Sequence, residues 1–170
     1  MGGNAFTKVK LSRIKREDIN ATLRYIAHQL NIPCLDEQYI LENVMGSAGK
    51  QPDSGDLDIA LDAYDPGPCF NRKLIQFKKD ILNLIADRTE QLFGKEYVIR
   101  NGMKGGQLNT AWPIAGDPTR GYVQVDFIFG PAEWLKFTHY SPGKDFSPYK
   151  GVFISTLLGV MSKVRKDFEA

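Results

Sequence analysis

The chain has 170 residues, of which 42% are hydrophobic and 25% charged, and a net charge of +2, the composition of one globular unit able to bury its own core. That near-balance of charge leaves no overall electrostatic footprint for nucleic acid, although it allows a local basic surface. Two cysteines make no disulfide scaffold, and no apolar run of about 18 residues marks a membrane span.

In chain order, a helix is predicted over about 17–30, where Ile19, Leu23, Ile26 and Leu30 are spaced four, three and four and so share a face. Asn31-Ile32-Pro33 ends it. A segment over about 36–44 has no decisive periodicity and leads to the pair Gly46-Ser47. A loop rich in Gly, Ser, Asp and Pro follows (47–55), then a strand over 56–61 that reads Asp56-Leu57-Asp58-Ile59-Ala60-Leu61. Asp65-Pro66-Gly67-Pro68 breaks the chain. The longest helix is expected over 71–93, with Leu74, Phe77, Ile81, Leu84, Ile85, Arg88 and Leu92 along its buried side and Gly94 as its stop. Strands at 97–100, 107–114 and 122–129 are joined by turns at 102–106 and 116–121. Pro131 suits the first turn of a short helix over 132–138. A last helix over 150–168 is expected to bury Val152, Phe153, Leu157, Val160, Met161 and Val164.

Successive strands joined by tight turns favour a mixed, largely antiparallel sheet flanked by helices, the α+β class, over a doubly wound parallel sheet. The chain reads as one domain (1–170) with its core over about 17–130. Residues 131–170 add helices or begin a further part of a longer protein. Cys34 and Cys69 fit no metal spacing and read as reduced thiols of a cytoplasmic protein. The Met1-Gly2-Gly3-Asn4 start lacks the apolar core of a signal peptide, and Thr7 falls one position late for myristoylation.

The chemistry concentrates at three acids. Asp56 and Asp58 stand one residue apart in a strand, so both carboxylates project from the same face. Paired carboxylates repel each other and call for a cation, and a site of oxygens suits Mg²⁺ or Mn²⁺. A third acid in a similar setting is Asp126, in Val123-Gln124-Val125-Asp126-Phe127. Taken singly, each piece has an ordinary explanation. Gly-Ser is a common turn, Asp56 can simply start a strand, and Asp58, or Asp126 with its face partner Gln124, can sit on a solvated face. Together they favour a metal site. Asp62 shares the face of Asp56 and Asp58 and reads as surface.

Other residues carry less. His28 reads as a packing residue of the first helix, and His139 precedes a polar loop with no nucleophile beside it. No Ser-His-Asp or Cys-His arrangement exists. Gly102-Met103-Lys104-Gly105-Gly106 does not match a phosphate-binding Gly-x-x-x-x-Gly-Lys-Ser/Thr loop and reads as a hairpin turn. Trp112 and Trp134 read as core or rim. Residues 144–150 mix lysines with aromatics, and Lys163, Arg165 and Lys166 suit a helix C-terminus.

The series Gly46-Ser47, Asp56-Leu57-Asp58 and the later Asp126 resembles the nucleotidyltransferase superfamily of the DNA polymerase beta type. That group includes CCA-adding enzymes, poly(A) polymerases, oligoadenylate synthetases and minimal nucleotidyltransferases that modify proteins or small molecules. The resemblance covers about residues 17–130 and is strongest, in strand order, to the CCA-adding group. It implies transfer of a nucleoside monophosphate from an NTP to an acceptor hydroxyl, with release of pyrophosphate and two Mg²⁺ or Mn²⁺ ions held by Asp56, Asp58 and Asp126. It further implies that Asp126 takes the acceptor proton, that Gly46 and Ser47 approach the β- and γ-phosphates, and that Lys50 offsets phosphate charge. An RNA 3′-end is the favoured acceptor. A protein or small-molecule hydroxyl and an inactive domain that only binds are the alternatives. Because little chain follows Asp126, the resemblance leaves three alternatives: a minimal form, a fragment of a longer protein, or a wall that grips the acceptor supplied by a second copy. Sugar-nucleotide glycosyltransferases also use Asp-x-Asp, but there the motif follows a long parallel nucleotide-binding half, for which too little chain precedes residue 56.

Overall fold

Eleven helices and strands carry the described part of the chain: β1 (Ile14–Lys15), α1 (Arg16–Leu30), α2 (Glu37–Glu42), β2 (Val44–Met45), β3 (Asp53–Ser54), β4 (Asp56–Asp62), α3 (Leu74–Phe93), β5 (Val98–Ile99), β6 (Gln107–Pro113), β7 (Tyr122–Gly130) and α4 (Ala132–His139). They belong to a computed structural model that describes residues 5–62 and 74–139, together with 153, 154, 156, 157 and 159–161. The fold is α+β. Five strands form a mixed sheet in the order β2-β4-β7-β6-β5, and β1 and β3 form a separate antiparallel pair. Only the central contact, β4 against β7, is parallel; the other pairings of the large sheet are antiparallel.

Alternation along the two central strands divides the sheet into unlike faces. Leu57, Ile59 and Leu61 of β4 and Val123, Val125 and Phe127 of β7 are buried in the main core with the helices, while Asp56, Asp58, Gln124 and Asp126 turn to the other face. α1 contributes Ile19, Leu23, Ile26 and Leu30 to that core, the face its spacing predicts. Its first turn carries Glu17 and Asp18, which suit the positive end of a helix dipole. Asn31 closes it in a left-handed conformation, its N–H on the Ala27 carbonyl. The undecided segment before Gly46 is a short helix, α2, capped by Asp36, whose Oδ1 accepts the Tyr39 N–H at 2.8 Å, and then a two-residue strand, β2.

Trp112 is the largest fully buried side chain. It meets Tyr25 of α1 and Phe93 of α3 edge-to-face, at centroid distances of 6.4 and 5.2 Å. Its indole N–H reaches the Thr110 hydroxyl at 3.0 Å, which in turn donates to the Val125 carbonyl, so no polar group is stranded there. Thr22 ties α1 to the β6–β7 connection, since its hydroxyl accepts the Ala115 N–H at 2.8 Å. Arg120 in the same connection pairs with Asp18 at 2.7 Å.

Three expectations are corrected. The buried side of α3 is Ile81, Leu82, Ile85, Ala86 and Thr89, whereas Arg88 and Leu92 are exposed and Leu84 only half-buried. At about 100° per residue the buried set centres on Ile85 and Thr89, and Leu84, Arg88 and Leu92 fall to one side of it. His28 is exposed on α1 beside Gln29 and does not pack in the core. Phe153, Leu157, Val160 and Met161 of the expected C-terminal stripe are exposed; Val152 and Val164 lie outside the described residues, as do 144–150 and Lys163, Arg165 and Lys166. Among the described residues, no helix is long and apolar enough to cross a membrane.

Candidate metal centre

The parallel pairing of β4 and β7 sets Asp58 directly opposite Asp126 and Asp56 opposite Gln124. With two residues per repeat along each strand, all three acids fall on the face away from the main core. One carboxylate oxygen from each lies within 4.8 Å of the others. Asp126 is buried, at 6% exposure, and Asp56 and Asp58 are half-buried.

Such crowding of anions is costly without a cation. Burial, then the charges of Asp56 and Asp126, push the Asp58 carboxyl up to about 7. Burial likewise raises Asp56, against the pull of the Arg13 guanidinium. Burial raises Asp126 too, opposed by hydrogen bonds from Asn109 and Gln124. The Asn109 amide donates to Oδ1 of Asp126 at 2.7 Å, and the Gln124 amide donates to both oxygens, at 2.9 and 3.0 Å. Among the described residues no side chain donates to the carboxylate of Asp56 or Asp58. A donor set of carboxylate oxygens, two of the three groups without side-chain donors, fits Mg²⁺ or Mn²⁺.

Gly46, at the end of β2, borders this cluster. Its φ of +72° is left-handed, and a Cβ added there would sit 2.3 Å from Oδ2 of Asp58, so only glycine fits on both counts. β2 brings it there, because Met45 pairs with Asp58 across the sheet. The next residue, Ser47, is 2.9 Å from the Ser54 hydroxyl, which itself donates to the Asp56 carbonyl at 2.9 Å. Ser54 has one proton to give, so Ser47 is the donor in their pair and keeps only acceptor capacity. The Lys50 ammonium folds back to donate to the Gly46 carbonyl, and burial lowers its pKa. The expected Gly-Ser-Lys group is therefore a self-bonded turn against the acids.

The loop after it is held from the other side. Arg16, the first residue of α1, donates from its guanidinium to the Lys50 carbonyl at 2.8 Å and to the Gln51 carbonyl at 3.3 Å, and its backbone N–H reaches the Pro52 carbonyl. Arg13 pairs with Asp53 at 2.6 Å. Further along the acid face, Asp62 borders a hollow of about 590 Å³ lined also by Trp134 and Phe137 of α4. Asp62 is engaged there: its backbone N–H donates to the Tyr39 hydroxyl at 2.8 Å, and its Oδ1 accepts the Ala132 N–H at 3.4 Å. His139 bonds within α4 and does not reach the acids.

Sequence reasoning brought the three acids together but missed Asn109 and Gln124. Gln124 stands two residues before Asp126 and so shares its face, yet alternation alone does not say whether that face is wet. Gln124 is in fact buried, with its Oε1 accepting the Ala5 N–H at 3.0 Å. Asn109 becomes visible only through the β6–β7 register, which sets it opposite Asp126. Comparisons with protein-family models, with curated proteins and with solved structures return no match to this chain.

Proposed function

We propose that the protein is a metal-dependent nucleotidyltransferase that moves a nucleoside monophosphate from an NTP to an acceptor hydroxyl. The observation that carries this reading is the convergence of Asp56, Asp58 and Asp126 within 4.8 Å on neighbouring strands, against the Gly46-Ser47 turn. An acid triad alone would serve many cations; a glycine turn packed against it is the kind of backbone that polyphosphate recognition uses. The resemblance of the same residues to the polymerase beta type of nucleotidyltransferase points the same way.

In this reading Asp56, Asp58 and Asp126 hold two divalent ions. When bound, Mg²⁺ or Mn²⁺ supplies charge neutralisation at the attacking and leaving oxygens of an in-line displacement at the α-phosphorus. The acceptor oxygen bonds to phosphorus as the bond to pyrophosphate breaks, and the acceptor proton leaves toward Asp126 or solvent. Backbone at Gly46 and Ser47 faces the triphosphate, and the Ser47 hydroxyl reaches it only by giving up Ser54. Lys50 lends positive charge from the carbonyl side of the turn. The acceptor is an RNA 3′-end by the strength of the resemblance to CCA-adding enzymes, and the protein works in the cytoplasm.

The test is incubation with each α-labelled NTP, Mg²⁺ or Mn²⁺, and total RNA or total protein. Label is expected in RNA, dependent on the divalent ion and absent with Asp56→Asn. Label in protein would move the acceptor to a protein hydroxyl. No ion-dependent transfer and no ion-dependent NTP binding would end the enzymatic reading and leave a domain that only binds.

A further inference from the structure

Asp126 differs from its two neighbours in what already holds it. Four contacts from three neutral amides reach its carboxylate. Asn109 at 2.7 Å and Gln124 at 2.9 Å both donate to Oδ1, while Oδ2 receives Gln124 at 3.0 Å and a long contact from Gln107 at 3.4 Å. A carboxylate oxygen has two lone-pair directions. The two close donors occupy those of Oδ1, and Oδ2 keeps one. Gln124 is itself fixed: it is 4% exposed, and the Ala5 N–H on its Oε1 sets which end of the amide faces Asp126.

We infer that Asn109 and Gln124 are positioning residues that restrict Asp126 to offering a single oxygen, Oδ2, to a divalent ion. This rests on the reading of the three acids as a metal centre. The consequence is selectivity. Ca²⁺ favours six to eight oxygens and readily takes a carboxylate through both, whereas Mg²⁺, and Mn²⁺ at such oxygen sites, are satisfied by single oxygens in octahedral geometry. An Asp126 with Oδ1 already engaged penalises the larger ion. The backbone of residue 5 takes part through Gln124, although it lies far from the acids in sequence.

The experiment compares the wild type with Asn109→Leu, Gln124→Met and Ala5→Pro, the last removing the N–H that orients Gln124 without changing Gln124 itself. Mn²⁺ affinity is read by electron paramagnetic resonance titration without nucleotide, Ca²⁺ by competition, and folding by thermal melts of the metal-free proteins. Loss of an outer partner of a ligand typically weakens metal binding by about 10–100-fold. Asn109→Leu and Gln124→Met are expected to bind Mn²⁺ about tenfold more weakly and to narrow the Mn²⁺-over-Ca²⁺ preference, with Ala5→Pro shifting both in the same direction by less. A purely structural role would move the melting temperature and leave that preference alone. Unchanged Mn²⁺ affinity and unchanged preference in Asn109→Leu, and in whichever of the other two folds, overturn the inference while the metal centre stands. Failure of the wild type to bind Mn²⁺ removes both.

Discussion

At the residue scale, the cost of packing three carboxylates falls mainly on Asp58, whose pKa lies near 7 in the absence of a cation. Between its unfolded value near 4 and about 7, the native protein keeps a proton that the unfolded chain has released. The contribution of Asp58 to metal-free stability is therefore fully present below about pH 4 and is lost as pH rises toward 7, by on the order of a few kcal/mol at most. Urea denaturation with chelator at pH 5 and pH 8 is expected to give a lower midpoint at pH 8, and Asp58→Asn should flatten the difference while abolishing transfer. Equal wild-type midpoints at both values would mean that burial and the neighbouring acids together do not raise Asp58. Divalent ions compete with the same proton, so their apparent affinity should weaken as pH falls below 7.

At the element scale, the loop between β2 and β4 is positioned by α1 and β1 as well as by its own hydrogen bonds. Arg16 closes three backbone contacts on residues 50–52, and β3 pairs with β1. Arg16→Ala should leave the core intact, speed proteolytic cleavage within 47–55, and raise the KM for NTP severalfold with a smaller change in kcat; an unchanged KM would separate the loop from substrate binding. The elements that position the acids were legible in the sequence because each has a strong local pattern. β4 and β7 alternate cleanly, α1 repeats its apolar face, and Gly46-Ser47 marks a turn. What could not be read depends on partners. The amides around Asp126 follow from strand register, which composition does not encode. The buried side of α3 was displaced because Leu84, Arg88 and Leu92 complete a spacing that the sheet does not use. The apolar stripe at 153–161 is present in the sequence, but periodicity does not name what covers it.

At the scale of the whole molecule, one side of the sheet carries the main core and the other the three acids. Trp112 joins β6 to both α1 and α3 from the first side and touches nothing in the acid cluster. Trp112→Ala should cost about 3–5 kcal/mol, a large part of the stability of a domain this size. Guanidinium unfolding would register it as a lowered midpoint, and a loss below about 1 kcal/mol would show that the aromatic cluster is not the keystone of the core.

The parallel contact between β4 and β7 has a kinetic consequence. Asp58 and Asp126 belong to strands separated by α3 and two further strands, so they become neighbours only when the widest loop in the sheet has closed. Neither half of the chain contains the centre by itself. A luminescent trivalent ion added during refolding would remain dark until that closure and then light up, timing the arrival of the slowest, most non-local step in assembly.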